Sequence, residues 1–390
     1  MKGPSIFLFA GEASGDLHGE KLIQNLRREI PSVRIFGVGG PKMRFAGLEC
    51  IMPMEKFQVM GFVDVFFALP KLFRQFFRLR DEILKENPDI ILLIDYPGFN
   101  LAMAKSLFKR SFPGKICQYI CPSVWAWGKK RIPKMEKILD LLFVTFPFEK
   151  EIFDPSKLQV EYVGHPLIQQ TESDKAPPID VDPKYRVLAL FPGSRHKELL
   201  RNFPSQIRVC KKLLDEHPDL FLVVSVAEAP FSLLLDQMMR KEGFLSKDRI
   251  MFVSSAQNRS LMKRANFAIA KSGTCNLELA LYGVPTIVTY AINPLDLFIA
   301  RNLLRIRLPH YCIVNIIAKK RIFPELYGPN FTQEALYDHA KKFLSSDQSL
   351  EECREKCREI GIILEKKQPE EEISSALKNL LDERPIQNLH

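Results

Sequence analysis

The chain has 390 residues, 46% of them hydrophobic, which points to at least two folded domains and excludes a disordered or fibrous protein. Its formal net charge of +10 favours anionic partners: a nucleotide, a nucleic acid or an acidic lipid surface. No apolar run reaches the roughly 18 residues of a membrane span, and the start MKGPSIFLFAGEASGD has too short an apolar core for a secretory signal, so a cytosolic protein is expected.

SIFLFA reads as the first strand, and AGEASGDLHGEKLIQNL, residues 10–26, continues with the strand–glycine–helix layout of a phosphate loop. Its glycines fall at 11, 15 and 19, the spacing of neither a dinucleotide fingerprint nor a P-loop. Glu12 and Asp16 would repel a diphosphate but suit hydroxyls, so a sugar is the expected guest; Asp16 can equally serve as a helix cap. VRIFGVGG, DIILLID, KICQYIC, LDLLFVTF and VEYVGH follow as strands, apolar on both faces as buried parallel strands are. Asp95 ends DIILLID at the sheet rim. There partial desolvation can raise a carboxyl pKa and make a general base, or the Asp can simply form the turn.

Between these strands lies FFALPKLFRQFFRLR, residues 66–80. Leu69, Leu72, Phe73, Phe76 and Phe77 recur near helical spacing, with Arg74 and Arg78 on another face, and with Phe66 and Phe67 they are the candidate membrane contacts. The pattern suits a helix lying on an anionic membrane, although a core helix with a basic outer face accounts for it alone. A second such run, PLDLFIARNLLRIRLPHY at 294–311, carries Arg301, Arg305 and Arg307. Two such runs favour lipid over nucleic acid, because the aromatics cluster with aliphatics instead of spreading as stacking platforms. Both tryptophans fall in CPSVWAW, 121–127, where they line an acceptor site or fill the core.

QQTESDKAPPIDVDPK, 169–184, is polar and proline-containing and reads as a domain linker, its DVD as solvated charge. The pattern then restarts with the strands YRVLALFPGS, LFLVVSV, RIMFVSS, NFAIAKSG and VPTIVTYA. The expected fold class is therefore α/β: two Rossmann-like doubly wound parallel sheets, residues 1–168 and 185–350, facing a cleft. A charged helical tail, 351–390, is expected to pack across the domains or onto a partner chain, which would make a homodimer. In the second domain Arg195 ends a strand in PGSR and offers a forked donor for phosphate oxygens. Ser272, Gly273 and Thr274, in KSGT, read as a diphosphate seat at a helix N-terminus, an ordinary N-cap turn being the plain alternative. One turn on, Glu278 is placed to accept from ribose hydroxyls. The eight cysteines lack C-x-x-C spacing and read as reduced thiols.

AGEASGD, VMGFVDV, IDYPGFN, PSVWAW, PFE, VGHP, PGSR and KSGT-x-x-LE occur in this order between residue 10 and about 280. Together they make the chain resemble the lipid-A-disaccharide synthases, with a looser match to its end. The resemblance implies the GT-B glycosyltransferase architecture and an inverting, metal-independent transferase without cofactor. Its substrates would be UDP-2,3-diacylglucosamine and 2,3-diacylglucosamine 1-phosphate (lipid X); its products would be UDP and the β-linked lipid A disaccharide 1-phosphate. It would work as a peripheral protein on the inner face of the cytoplasmic membrane. By motif, Asp95 is implied as the base for the acceptor's primary hydroxyl, with Glu12 and Ser14 orienting the sugars. Arg195, Ser272, Gly273, Thr274, Glu278 and, in CIVNIIA, Asn315 are implied to hold UDP. The chain departs from the pattern at Tyr96-Pro97-Gly98-Phe99-Asn100, where many relatives read A-P-D-F-N, so a second carboxylate is missing there. Rival readings on the same architecture are a UDP-sugar epimerase and a peptidoglycan glucosaminyl transferase. A rival of another class is a non-catalytic nucleotide binder at a membrane surface, needing the PGSR and KSGT loops but not Glu12 or Asp95.

Overall fold

In the computed structural model the described residues are 3–57, 62–126 (backbone only at 62–69 and 71), 128–244, 249–299, 302 and 308–383. The chain divides into two compact units, one made of Met1–Pro166 with Lys367–His390, the other of Leu167–Lys366.

The first unit holds a seven-stranded, all-parallel sheet in the order β3-β2-β1-β4-β5-β6-β7. Its strands are β1 (Ser5–Ala10), β2 (Arg34–Gly39), β3 (Glu49–Pro53), β4 (Ile90–Ile94), β5 (Lys115–Tyr119), β6 (Leu141–Val144) and β7 (Gln159–Tyr162). Every residue of β1 is buried, because the alternating side chains of a central strand meet a packed layer on each face. Phe7 and Phe9 join Phe36, Leu93 and Met103 on one face, while Ile6, Leu8 and Ala10 join Leu22, Ile23 and Leu26 on the other. The helices that matter for the site are α1 (Ala13–Glu29), α2 (Pro41–Phe45), α3 (Phe62–Glu86) and α4 (Pro97–Phe108).

The second unit holds a six-stranded, all-parallel sheet in the order β10-β9-β8-β11-β12-β13. The strands are β8 (Arg186–Phe191), β9 (Leu220–Val226), β10 (Ile250–Ser254), β11 (Phe267–Lys271), β12 (Thr286–Tyr290) and β13 (Glu325–Tyr327). Both sheets follow the doubly wound order, with the strand sequence reversing next to the first strand of each unit. Two doubly wound α/β units is the fold class expected from the sequence.

Residues 169–184 are not a free linker. The helix Pro166–Glu172 opens the stretch, and the rest is a strap packed on the second unit. Ile179 and Val181 enter that unit's core beside Val187 and Leu261. The strap's polar groups are also bound: Tyr282 Oη donates to Asp174 at 2.6 Å, and Lys263 Nζ lies 2.9 Å from the same carboxylate. The tail also divides. The helix Asp347–Ile363 belongs to the second unit, whereas Pro369–Asp382 belongs to the first, where Ile373 and Leu377 are wholly buried in the core around α1.

Candidate functional site

The strand order brings distant loops together. Ala10 pairs with Ile94, so the turn after β1 lies beside the turn after β4. Ser14 Oγ donates to Asp95 Oδ2 at 3.3 Å across 81 residues of sequence. Burial and then the charge of Asp95 push the Glu12 carboxyl above its ordinary range. Burial and then the charge of Glu12 raise the Tyr96 phenol. Glu12, Ser14, Asp95 and Tyr96 thus form one electrostatically linked group at the carboxyl edge of the first sheet.

This edge is conformationally strained. Asp95 and Tyr96 are consecutive non-glycine residues with left-handed backbone, φ 49° and 54°, and Ile120, at the end of the neighbouring strand, has φ 73°. Such residues cost on the order of 1–3 kcal/mol each and persist only where their surroundings over-determine them. Here Asp95 N–H donates to Tyr119 O at 3.0 Å, the Asn100 side-chain amide donates to Asp95 O, and Tyr96 Oη donates to Phe57 O at 3.0 Å. Phe99 stacks on Phe9 with centroids 4.7 Å apart and locks the start of α4 onto β1.

The glycines of the first loop serve close packing. A Cβ on Gly19 would meet Met43 Sδ at 2.4 Å, and one on Gly11 would meet the Tyr96 ring at 2.9 Å. Asp16 is buried and is indeed a cap, but of a neighbouring helix. It accepts from the backbone N–H of Lys42 at 3.1 Å and of Met43 at 3.0 Å, at the start of α2. The two carboxylates of the loop therefore have different fates, Asp16 spent on structure and Glu12 left facing outward. Trp125 packs edge-on against Phe148, centroids 5.6 Å apart. Its indole also reaches Glu149, a buried carboxyl pushed up to about 8 by desolvation. It therefore anchors its loop to the PFE turn; Trp127 lies outside the described residues.

In the second unit Phe191 pairs with Ala270, which sets the PGSR and KSGT loops side by side around a cavity of about 360 Å³. Gly193, Ser194, Ser272, Gly273, Thr274 and Glu278 line it. Glu278 is half-buried, and desolvation holds its carboxyl up against the opposing charge of Arg259. The helix after KSGT, Cys275–Leu281, has only seven residues; the long helix, His196–Glu216, starts after PGSR instead. The helix-terminus role expected of KSGT thus fits the PGSR side better. One carboxylate oxygen, Glu198 Oε1, holds two cations: Lys271 Nζ at 2.9 Å and Arg195 Nη1 at 3.2 Å. Tyr327 Oη donates to Ser272 Oγ at 2.6 Å, which leaves the serine proton free to point elsewhere.

Asn315 does not face this cavity. It is fully buried; its Oδ1 accepts from Ile322 and Phe323 N–H at 2.8 and 2.9 Å, and its Nδ2 donates to Phe323 O and Glu325 Oε1 at 2.8 Å each. That use satisfies the amide and pins the turn into β13, the strand that carries Tyr327. Lys271, Glu198 and Tyr327 were not singled out from the sequence. Glu198, one helical turn after Arg195, was the readable signal.

Of the residues proposed for membrane contact, Phe73 and Phe77 are 58% and 48% exposed, Arg74 and Arg78 are exposed, and Leu72 and Phe76 are half-buried on α3. Phe66, Phe67 and Leu69 lie outside the described side chains, as do Arg301, Arg305 and Arg307 in the second run. No helix among the described residues is long and apolar enough to cross a membrane.

Comparison with known proteins decides the family. A family model described as lipid-A-disaccharide synthetase matches residues 6–379. The chain belongs to the lipid-A-disaccharide synthetase family. Lipid-A-disaccharide synthase of Chlamydia felis is 40% identical over 331 residues, covering 83% of this chain and 52% of the relative. That of Acidobacterium capsulatum is 34% identical over 362 residues, covering 90% of this chain and 89% of the relative. The chain spans 52–59% of the length of the chlamydial relatives it matches. Among solved structures, a glycosyltransferase from Rickettsia africae aligns with a TM-score of 0.59 at 12% identity, covering 98% of this chain and all of that one. A UDP-GlcNAc 2-epimerase from Neisseria meningitidis bound to UDP-GlcNAc aligns with a TM-score of 0.59 at 10% identity, with the same coverage. At such identities these two speak for the fold alone.

Proposed function

We propose that this member of the family is a lipid-A-disaccharide synthase. It transfers 2,3-diacylglucosamine from UDP-2,3-diacylglucosamine to the primary hydroxyl of 2,3-diacylglucosamine 1-phosphate with inversion. The observation that carries the reading is the joining of Glu12, Ser14 and Asp95 at one strained sheet edge, in a protein whose other unit sets Lys271 and the hydroxyls of Ser194, Ser272 and Thr274 around a cavity. Asp95 takes the proton of the acceptor hydroxyl, and Glu12 and Ser14 orient the sugars. The acceptor oxygen bonds to the anomeric carbon as the bond from that carbon to the diphosphate oxygen breaks, and UDP leaves with the electron pair. Arg195, Lys271 and the Ser272 and Thr274 hydroxyls stabilise the departing charge, and Glu278 receives the ribose.

The exposed phenylalanines and arginines of α3 support work at an anionic membrane face, where both lipid substrates reside. The test is UDP release from UDP-diacylglucosamine in mixed micelles, with and without lipid X. Release that requires lipid X and yields a disaccharide supports the synthase. Release without acceptor points to hydrolysis or epimerase-like chemistry. No release from folded protein that still binds UDP leaves a nucleotide-binding module.

A further inference from the structure

The first unit also holds a cavity lined by none of Glu12, Ser14 and Asp95. It is an open groove of about 660 Å³ between α3 and α4. Its floor is apolar: Leu72, Phe76 and Phe99, with Phe73 and Phe77 as one wall and Ala102 on the other. One end reaches Gly98 and Phe99, which follow the strained Asp95–Tyr96 turn after Pro97. The rim is cationic, with Arg80, Lys105, Lys109 and Arg110. Arg80 is paired with Asp81 and Arg110 binds Ser106, but Lys105 and Lys109, one turn apart, have no ion-pair partner among the described residues. At this floor the Phe76 and Phe99 rings meet edge-on, centroids 5.4 Å apart, and tie α3 to α4.

An apolar trough with a one-signed cationic rim fits an amphiphile with a long chain and an anionic head. We infer that the groove between α3 and α4 seats one acyl chain of the acceptor lipid, with the acceptor's phosphate held by Lys105 and Lys109. The inference rests on the transferase reading above. The acceptor, not the donor, is the occupant because the groove leads to the Asp95 turn, where the acceptor hydroxyl reacts, while the donor's diphosphate belongs to the second unit. Gly98 sits where the chain passes from groove to turn; a Cβ there would touch nothing, so the passage stays open. The volume falls within the range of about 300–1,000 Å³ typical of small-molecule sites.

The test is disaccharide formation from acceptors of graded acyl length, read as kcat/KM for each. Ala102→Trp fills the groove and should shift preference towards shorter chains by about tenfold or more, since one methylene in an apolar pocket is worth roughly 10–200-fold. Phe73→Ala widens it and should shift preference towards longer chains. A folding defect cannot move the profile in opposite directions, and UDP affinity should stay unchanged in both variants. Lys105→Ala with Lys109→Ala should raise KM for the acceptor equally at every chain length, and should leave a dephosphorylated acceptor unaffected. Loss by the same factor at all lengths in Ala102→Trp and Phe73→Ala would mean that the face only docks on the membrane, and would overturn the inference. So would an unchanged profile. Wild-type protein that forms no disaccharide from any acceptor sinks the transferase reading itself, a result distinct from a wild type that transfers with an unshifted profile in the variants.

Discussion

The two units have the same doubly wound topology and opposite chemistry at the carboxyl edges of their sheets. The first presents Glu12 and Asp95, which feel each other's charge, with Ser14 bound to Asp95 and Asp95 on strained backbone. The second presents Lys271 and Arg195 on loops with small and hydroxyl residues, and its cations share a single carboxylate, Glu198. The topology delivers strand-end loops to one edge in both cases; the side chains then decide the guest. Acids that repel phosphate and accept from hydroxyls suit the sugar end of a reaction. Cations suit the end that leaves with a diphosphate.

Removing the acid from the first edge should have the largest effect. Asp95→Asn keeps the shape of the side chain and the Ser14 contact but cannot take a proton, so kcat should fall about 10²–10⁴-fold with UDP affinity unchanged. Weakened UDP binding with normal turnover at saturation would show that the two edges are not divided as described. Removing the cation from the second edge should come next. Lys271→Ala should weaken UDP binding by roughly ten- to a hundredfold, the value of one charge-assisted hydrogen bond of about 1.5–3 kcal/mol. Calorimetric titration with UDP measures it directly, and unchanged affinity would remove Lys271 from the diphosphate site.

Glu198→Gln sharpens the contrast, because Glu198 is an acid on the cationic edge. If it only parks Lys271 and Arg195 until a diphosphate arrives, the neutral variant should bind UDP several-fold more tightly at low ionic strength, with the gain fading as salt rises. Weaker binding in the variant would mean instead that the carboxylate holds Lys271 in its working position.

Much of this contrast was legible in the sequence, since strands buried on both faces appear as unbroken apolar runs and charged residues at their ends stand out. The unread strands were β3 and β13, each at one edge of its sheet: β3 is only partly buried and β13 has three residues, so neither shows such a run. The polar strap at 169–184 read as a linker because its burial rests on Ile179 and Val181 alone, while Asp174 finds partners more than 80 residues away. The contact between Ser14 and Asp95 needed the strand order, which sets β1 beside β4. Asn315 shows the opposite difficulty. An amide that faces a ligand and one that pins a buried turn look alike in sequence, and only its four protein hydrogen bonds separate them.

The smallest effect expected is also the one that isolates the first edge from catalysis. Burial first, and the charge of Asp95 second, raise the Glu12 carboxyl. A folded state with the higher carboxyl pKa binds the proton more tightly than the unfolded chain does. Its contribution to stability is therefore complete below the unfolded value and is lost as pH rises through the folded one. At neutral pH the ionised Glu12 is a cost, and Glu12→Gln, which cannot ionise, should melt about 1–2 °C higher than the wild type, as suits a surface substitution of a few tenths of a kcal/mol. Below the ordinary carboxylate range, where Glu12 is protonated in the folded and the unfolded chain alike, the gap should close. In an Asp95→Asn background the gap at neutral pH should narrow but persist, because the neighbouring charge is the lesser of the two causes. A gap that vanishes entirely in that background would make charge repulsion the whole effect and the first edge a pair of coupled acids; a gap that does not change would mean that Glu12 and Asp95 act independently.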